Sequence, residues 1–308
     1  MIKKNKIGVI LFSHEDSNEY QRALRFQQEI KQAGYIPELL YCDLFSVFYQ
    51  QNKLEFCYNT KKFNLNQYKL FIPRYSLTNG NSFHRFSIAR FLEQAGTIVM
   101  NRPEASALAK NKRDSLVKLA MAGLPIVPTG INYSQFFLDP HLKHNKKNRI
   151  IAKANSGSLG YKVSIFDSHI SFISFMEFMA GIYDSSNILI QPYIESGSSD
   201  YRLIIVGNKL IAAMKRQAKG IEFRSNISKG GTGTKIKPSQ KMINIAIKAK
   251  NILGLDYAGV DIIKSKNKLM ILEVNSNPSL AIEQITDINV VKEIIKYGIK
   301  ISNHNRAK

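Results

Sequence analysis

Cysteine is scarce in this chain. Of 308 residues only Cys42 and Cys57 are cysteines, too few for a disulfide framework or a Cys-based zinc site. They read as reduced thiols of a cytosolic protein. Acidic residues are also few, 23 Asp plus Glu against 44 Lys plus Arg, which leaves a net charge of +21. Long apolar runs are missing as well. Residues 7–12 follow Lys3, Lys4 and Lys6 in the manner of a signal peptide, but the run is short and Ser13-His-Glu-Asp16 ends it. Residues 170–183 are interrupted by Glu177 and are too short to span a bilayer. The expectation is a cytoplasmic protein without a membrane segment.

What is present is ordinary for a globular protein: 44% hydrophobic and 22% charged residues. At roughly 150 residues per domain the length predicts about two domains and a core large enough to stand without staples. That excludes a disordered tail, a collagen-like fibre and a disulfide miniprotein. The basic excess favours an acidic partner. It is equally the mark of a Lys-, Asn- and Ile-rich composition, because the basic residues are spread in pairs such as Lys61-Lys62 and Lys146-Lys147.

The first hundred residues alternate strand and helix signals. Strands are predicted at 7–12, 38–41, 70–72 and 97–100. Helices are predicted at 20–33 and 83–95, closed by Gly34 and Gly96. This alternation predicts a parallel α/β sheet. A second region has a helix at 111–122, a strand at 150–154 and the small-residue loop Asn155-Ser-Gly-Ser-Leu-Gly160. His141 and His144 stand three apart in a basic loop and are read as loop residues rather than metal ligands. Further on come a strand at 188–194, a hairpin of 201–206 with 209–215 around Gly207-Asn208, and a helix at 240–253. A second hairpin joins 258–263 to 269–275.

That last hairpin carries the chemistry. Glu273 and Asn275 are two apart and project from one strand face, which Asp261 on the neighbouring strand can share. Two carboxylates and an amide oxygen repel unless a cation lies between them, and all-oxygen ligands suit Mg²⁺. A solvated acidic hairpin face is the other reading of the same three residues. Lys153 with the loop at 157–160 has the ingredients of a phosphate cradle. The run Gly230-Gly-Thr-Gly-Thr-Lys235 fails the spacing of a P-loop, and that reading is rejected.

In order along the chain, Lys112, Lys153 with its loop, Gln191-Pro-Tyr-Ile194, Asp200-x-Arg202, Phe223-Arg-Ser-Asn226 with Gly230-Gly231, Gly259-Val-Asp261 and Glu273-Val-Asn275 resemble the ATP-grasp superfamily. More narrowly they resemble the RimK-type ligases, which join glutamate or related amino acids to carboxylates. The likeness runs from about Leu70 to Thr286. It implies an ATP-grasp fold, α/β and α+β, with an N-terminal Rossmann-like (pre-ATP-grasp) domain at residues 1–104. A central lid subdomain at 105–190 and a C-terminal subdomain at 191–308 would follow.

The resemblance also implies roles. Lys112 and Lys153 would hold ATP phosphates under the loop containing Ser156, Gly157 and Ser158. Gln191, Pro192, Tyr193 and Ile194 would line the adenine pocket, and Asp200 would accept from the ribose. Arg224, Ser225 and Asn226 would contact phosphates, Arg216 or Arg224 would act in catalysis on the oxyanion, and Asp261, Glu273 and Asn275 would ligate two Mg²⁺ ions, with Mn²⁺ an acceptable substitute. Arg74 and Arg202 are candidates for the substrate. Lys162, Pro192 and Ser279 depart from the family pattern.

The implied activity is an ATP-dependent ligase that adds L-glutamate or a related amino acid to an acidic acceptor, a protein tail or a glutamyl chain, through an acylphosphate. A small-metabolite acceptor, another amino acid, or a catalytically degenerate ATP-binding module are the alternatives. A nucleic-acid partner is disfavoured, since neither a basic stripe nor a recognition motif is present. Homo-oligomerisation is left open.

Overall fold

The computed structural model describes residues 5–11, 17–74, 82–131, 149–155, 163–180, 188–220, 225, 227 and 230–304. The expected sites at Ser156, Gly157, Ser158, Arg224 and Asn226, and the pair His141 and His144, lie outside the described residues.

The chain opens as the alternation requires. Strand β1 (Lys6–Leu11) is central and parallel to β2 (Ile36–Tyr41) and to β6 (Tyr68–Pro73). Helix α1 (Ser17–Gln32) covers this sheet with Ala23, Phe26 and Ile30, all fully buried. The strand expected at 97–100 reduces to one parallel bridge between Val99 and Phe71. Instead, the residues that composition left unassigned form a small antiparallel sheet of β3 (Phe45–Gln50), β4 (Lys53–Tyr58) and β5 (Lys61–Lys62). It is stapled by edge-to-face contacts of Phe45 with Tyr58 and Phe63.

Helix α2 (Ser82–Gln94) leads to two consecutive helices, α3 (Pro103–Lys110) and α4 (Lys112–Met121). Pro103 starts α3, where its missing N–H costs nothing, and the Asn111 side chain caps α4 by accepting from Asp114 N. A four-stranded sheet follows, in the order β7 (Gly130–Ile131), β10 (Ile188–Pro192), β8 (Ile150–Ala154) and β9 (Val163–Phe166). Helix α5 (His169–Ala180) seats Phe172 and Met176 on it. The boundary expected at 190 falls inside β10.

The second sheet is antiparallel, ordered β13 (Thr232–Lys235), β12 (Lys209–Gln217), β11 (Ser199–Val206), β14 (Tyr257–Ser265) and β15 (Lys268–Asn275). The rejected P-loop run is thus an edge strand paired to β12. Helix α6 (Gln240–Ile252) covers one face of this sheet, burying Met242, Ile245, Ala246 and Ala249 among Leu203, Ile205 and Val260. After α7 (Ala281–Thr286), the long α8 (Val290–His304) turns back to the first domain. Its Val291, Ile294 and Ile295 share one core with Phe26, Ile30 and Leu70, so the chain's two ends are packed together. Among the described residues no helix is long and apolar enough to cross a membrane.

Candidate active site

Alternation along four neighbouring strands puts the candidate residues on one sheet face. The register pairs Asp200 with Arg216, Arg202 with Asp261, Asp261 with Glu273, and Gly259 with Asn275. Arg202 donates from Nε and Nη2 to the two Asp261 oxygens at 2.7 and 2.6 Å. Arg216 makes the same fork to Asp200, both bonds 2.6 Å, and its Nη2 also stands 2.9 Å from Asp261 Oδ2. All four side chains are buried. Two carboxylates against two guanidiniums in planar, two-pronged contact is the arrangement that makes buried charge tolerable. Burial alone would lower the Arg216 pKa, but Asp261 and Asp200 overturn that and raise it.

Beside this network Asn275 Nδ2 donates to Glu273 Oε1 at 3.0 Å and, more weakly at 3.5 Å, toward Asp261 Oδ2. Lys112 Nζ lies 3.6 Å from Glu273 Oε2. Burial would push the Glu273 carboxyl up. Lys112, the Asn275 amide, Arg202 and Lys153 outweigh it and hold the group well below the usual carboxylate range. The Lys153 ammonium is lowered, first by desolvation, then by repulsion from Lys112 against attraction from Glu273. Lys110 is pushed down to about 8 by burial and by Lys112, with Glu273 opposing. The excess of lysines over carboxylate here suits a phosphate chain.

Local bonding explains why two lysines from distant segments meet. Asn155, at the end of β8, accepts from Arg113 N with its side chain at 2.9 Å and from Lys112 N with its carbonyl at 3.3 Å. The β8 strand carrying Lys153 is thereby fastened to the first turn of α4 carrying Lys112. Neither Asn155 nor Lys110 is marked by spacing. Proximity in sequence to Lys153 and Lys112 was the only available signal.

The remaining expected residues are distributed as follows. Gln191 is buried, and its amide donates to Thr129 Oγ1 at 2.9 Å. Tyr193 N donates to Arg149 O at 2.8 Å, and the Arg149 guanidinium lies 3.9 Å from the Tyr193 ring centre. Pro192 and Ile194 are partly buried, and Ser225 is buried. Arg74 is buried against the Phe26 ring at 4.9 Å, and its Nη2 donates to Pro278 O at 3.3 Å, while Nε and Nη1 make no hydrogen bond. It therefore lies beside the loop that follows β15. Arg202 and Asp200 are engaged within the network. Each Asp200 oxygen retains a lone pair beyond its bond to Arg216.

The donor set fits a hard cation. Among the described residues no group of three or more His, Cys, Asp or Glu side chains is assembled for a metal. The candidate centre instead has the two carboxylates of Asp261 and Glu273 and the Asn275 amide oxygen. Oxygen ligands this few leave positions for water and phosphate, as Mg²⁺ prefers.

A four-stranded antiparallel sheet that supplies Lys153, helix α4 that supplies Lys112, and a five-stranded antiparallel sheet that supplies the acidic strand ends make up an arrangement of the ATP-grasp kind. Over 96% of its length the chain superposes on the ATP-grasp ligase PsnB complexed with minimal precursor, covering 99% of that chain at a TM-score of 0.74 and 18% identity. PsnB complexed with minimal precursor, Mg and ADP matches with a TM-score of 0.72 at 16% identity, covering 96% of this chain and 98% of that one. Residues 109–298 match the RimK-like ATP-grasp domain. A probable alpha-L-glutamate ligase 2 of Pseudoalteromonas atlantica is 33% identical over 243 residues, 78% of this chain and 79% of the relative. A probable alpha-L-glutamate ligase of Vibrio vulnificus is 34% identical over 248 residues, 79% and 81%. The chain belongs to the RimK-like ATP-grasp family, whose members are ATP- and Mg²⁺-using ligases that form amide bonds through an acylphosphate.

Proposed function

We propose that this ligase adds L-glutamate, or a closely related amino acid, to the carboxylate of an acidic peptide or glutamyl chain. The observation that carries the reading is the junction of Asp261, Glu273 and Asn275 with Lys112 and Lys153, beside the buried Arg202 and Arg216. The names of the relatives add the amino acid, and the +21 charge favours a polyanionic acceptor. The division into an N-terminal part to about 104, a central part to about 190 and a C-terminal remainder belongs to the same proposal.

A carboxylate is a poor electrophile, so the γ-phosphoryl of ATP is transferred to it first, releasing ADP, and the amine then attacks the acylphosphate carbonyl, loses its proton and expels inorganic phosphate as the amide forms. Lys112 and Lys153 neutralise the phosphates and hold them in line, which is most of what phosphoryl transfer needs. Asp261, Glu273 and Asn275 would hold two Mg²⁺ ions, which would offset the phosphate charge that the lysines leave. Arg216, held rigid by Asp200 and Asp261, points its remaining donors at the developing oxyanion, with Arg224 as its partner. Arg202 fixes Asp261 and borders the substrate. Arg74 grips a substrate carboxylate. Ser156, Gly157, Ser158, Ser225 and Asn226 line the phosphates, Gln191, Pro192, Tyr193 and Ile194 the adenine, and Asp200 the ribose.

The test is ADP release by the purified chain with Mg·ATP, across single amino acids, with and without an acidic peptide. Release requiring both glutamate and the peptide, with a mass gain of one glutamyl unit, is expected. Release with a different amino acid replaces the substrate and keeps the chemistry. ATP binding without release under any pairing overturns the ligase proposal.

A further inference from the structure

The β14–β15 ladder, which carries all three candidate metal ligands, ends at the pair Gly259 and Asn275. Beyond that pair a side chain from the first domain takes over. Asn101 is buried. Its Oδ1 accepts from Asp256 N at 2.6 Å and Tyr257 N at 3.0 Å. Its Nδ2 donates to Tyr257 O at 2.9 Å and Ser276 O at 2.8 Å. One primary amide thus acts as a peptide group would, with its acceptor on the start of β14 and its donors bridging to the residue next to Asn275. Close packing works from the other side: a Cβ on Gly259 would stand 2.9 Å from the Pro278 Cβ, so the strand and the loop after β15 are already in contact.

We infer that Asn101 is a positioning residue for the metal centre, holding Asn275 and Glu273 in register with Asp261 from outside the sheet. The inference rests on the reading of those three residues as metal ligands. The four hydrogen bonds of the Asn101 amide all go to backbone atoms. The side chain acts through the Ser276 carbonyl and the Tyr257 peptide. No other residue type supplies this pattern, because two acceptors and two donors must be met within one short, planar side chain. Asp keeps the shape but turns a second oxygen toward the Tyr257 and Ser276 carbonyls. Ser is too short to bridge them.

The test uses the full chain, ADP and Mn²⁺, with free Mn²⁺ followed by electron paramagnetic resonance and no turnover required. Asn101→Asp and Asn101→Ser are compared with wild type, with Glu273→Ala, and with Ile294→Val, a core change on α8 away from the ladder. The expected result is a loss of Mn²⁺ affinity of about 10-fold or more in both Asn101 variants, the scale on which partners behind metal ligands act. Ile294→Val should keep wild-type affinity below its melting transition. If Asn101→Asp does not fold, Asn101→Ser decides alone. Wild-type Mn²⁺ affinity in the folded Asn101 variants overturns the inference, as does an equal loss in Ile294→Val. Wild-type affinity in Glu273→Ala overturns the metal reading beneath it and is told apart by that variant.

Discussion

One face of the five-stranded sheet has two ends of opposite character. Toward α8 it presents Ile204 and Val206 of β11, Ala212 and Met214 of β12, and Tyr257 of β14, all buried in one apolar core. A few residues along the same strands, on the same face, it presents Asp200, Arg202, Arg216 and Asp261, just as deeply buried. Alternation and burial are alike at both ends, and only the chemistry differs. An apolar end gains stability simply by leaving water. A buried ion-pair end gains little or nothing over apolar residues of the same volume. Stability therefore does not explain the charges, and their cost is offset by what they do to a ligand.

The sharpest break of this comparison is at Glu273. Glu273→Ala removes one carboxylate and leaves Lys112 and Lys153 without their main counter-charge. Turnover should fall by about 1000-fold or more, the scale on which single charge-stabilising groups act, and the melting temperature should drop as well, because a carboxyl held below its usual range stabilises the fold and its loss leaves Lys112 and Lys153 uncompensated. ADP release and a thermal melt check both. Unchanged turnover would refute the metal assignment.

Next comes a pair of truncations, one at each end. Ile204→Ala should cost about 2–5 kcal/mol through lost transfer energy and a cavity. Asp261→Ala should cost about 3–5 kcal/mol by leaving Arg202 buried and unpaired. The two then diverge on repair. Replacing both members together, Arg202→Met with Asp261→Leu, should restore most of the urea midpoint while turnover stays lost. A double variant as unstable as Asp261→Ala would mean that the charged end holds the fold after all.

How much of this was legible in the sequence follows from where the forces act. The alternation at 200–206 and 257–263 and the Glu273-x-Asn275 spacing are local properties, and the sheet and its acidic strand ends could be read from them. The forks of Arg216 on Asp200 and of Arg202 on Asp261 join strands through register, which spacing alone does not reveal, so Arg202 read as a substrate group rather than a partner of Asp261. The β3–β5 sheet was missed because Phe45, Tyr58 and Phe63 stabilise it by ring contacts rather than by a clean period of two. The strand expected at 97–100 had the right composition, yet it keeps only the Val99 bridge. Asn101 falls within the stretch that carries the family resemblance, but its role could not be read there, since its partners lie 155 and more positions away.

The mildest test concerns a lone carboxylate at the apolar end. Asp256 precedes Tyr257 and lacks an arginine fork of the kind that serves Asp261. Burial pushes its pKa up to about 6, with Lys250 and Arg102 opposing only in part. The folded protein therefore binds a proton that the unfolded chain releases at lower pH. Stability attributable to this group is greatest below the unfolded value of 3.8 and is lost as pH rises through about 6. Asp256→Asn cannot ionise, so it should exceed wild type in stability at pH 7, on the order of 1 kcal/mol. The advantage should shrink to nothing near pH 4. Melting curves of both proteins from pH 4 to pH 8 measure it. A variant less stable than wild type at pH 7 would show that Lys250 and Arg102 match this carboxylate as fully as the guanidiniums match Asp261, and the contrast between the two ends would narrow to the site itself.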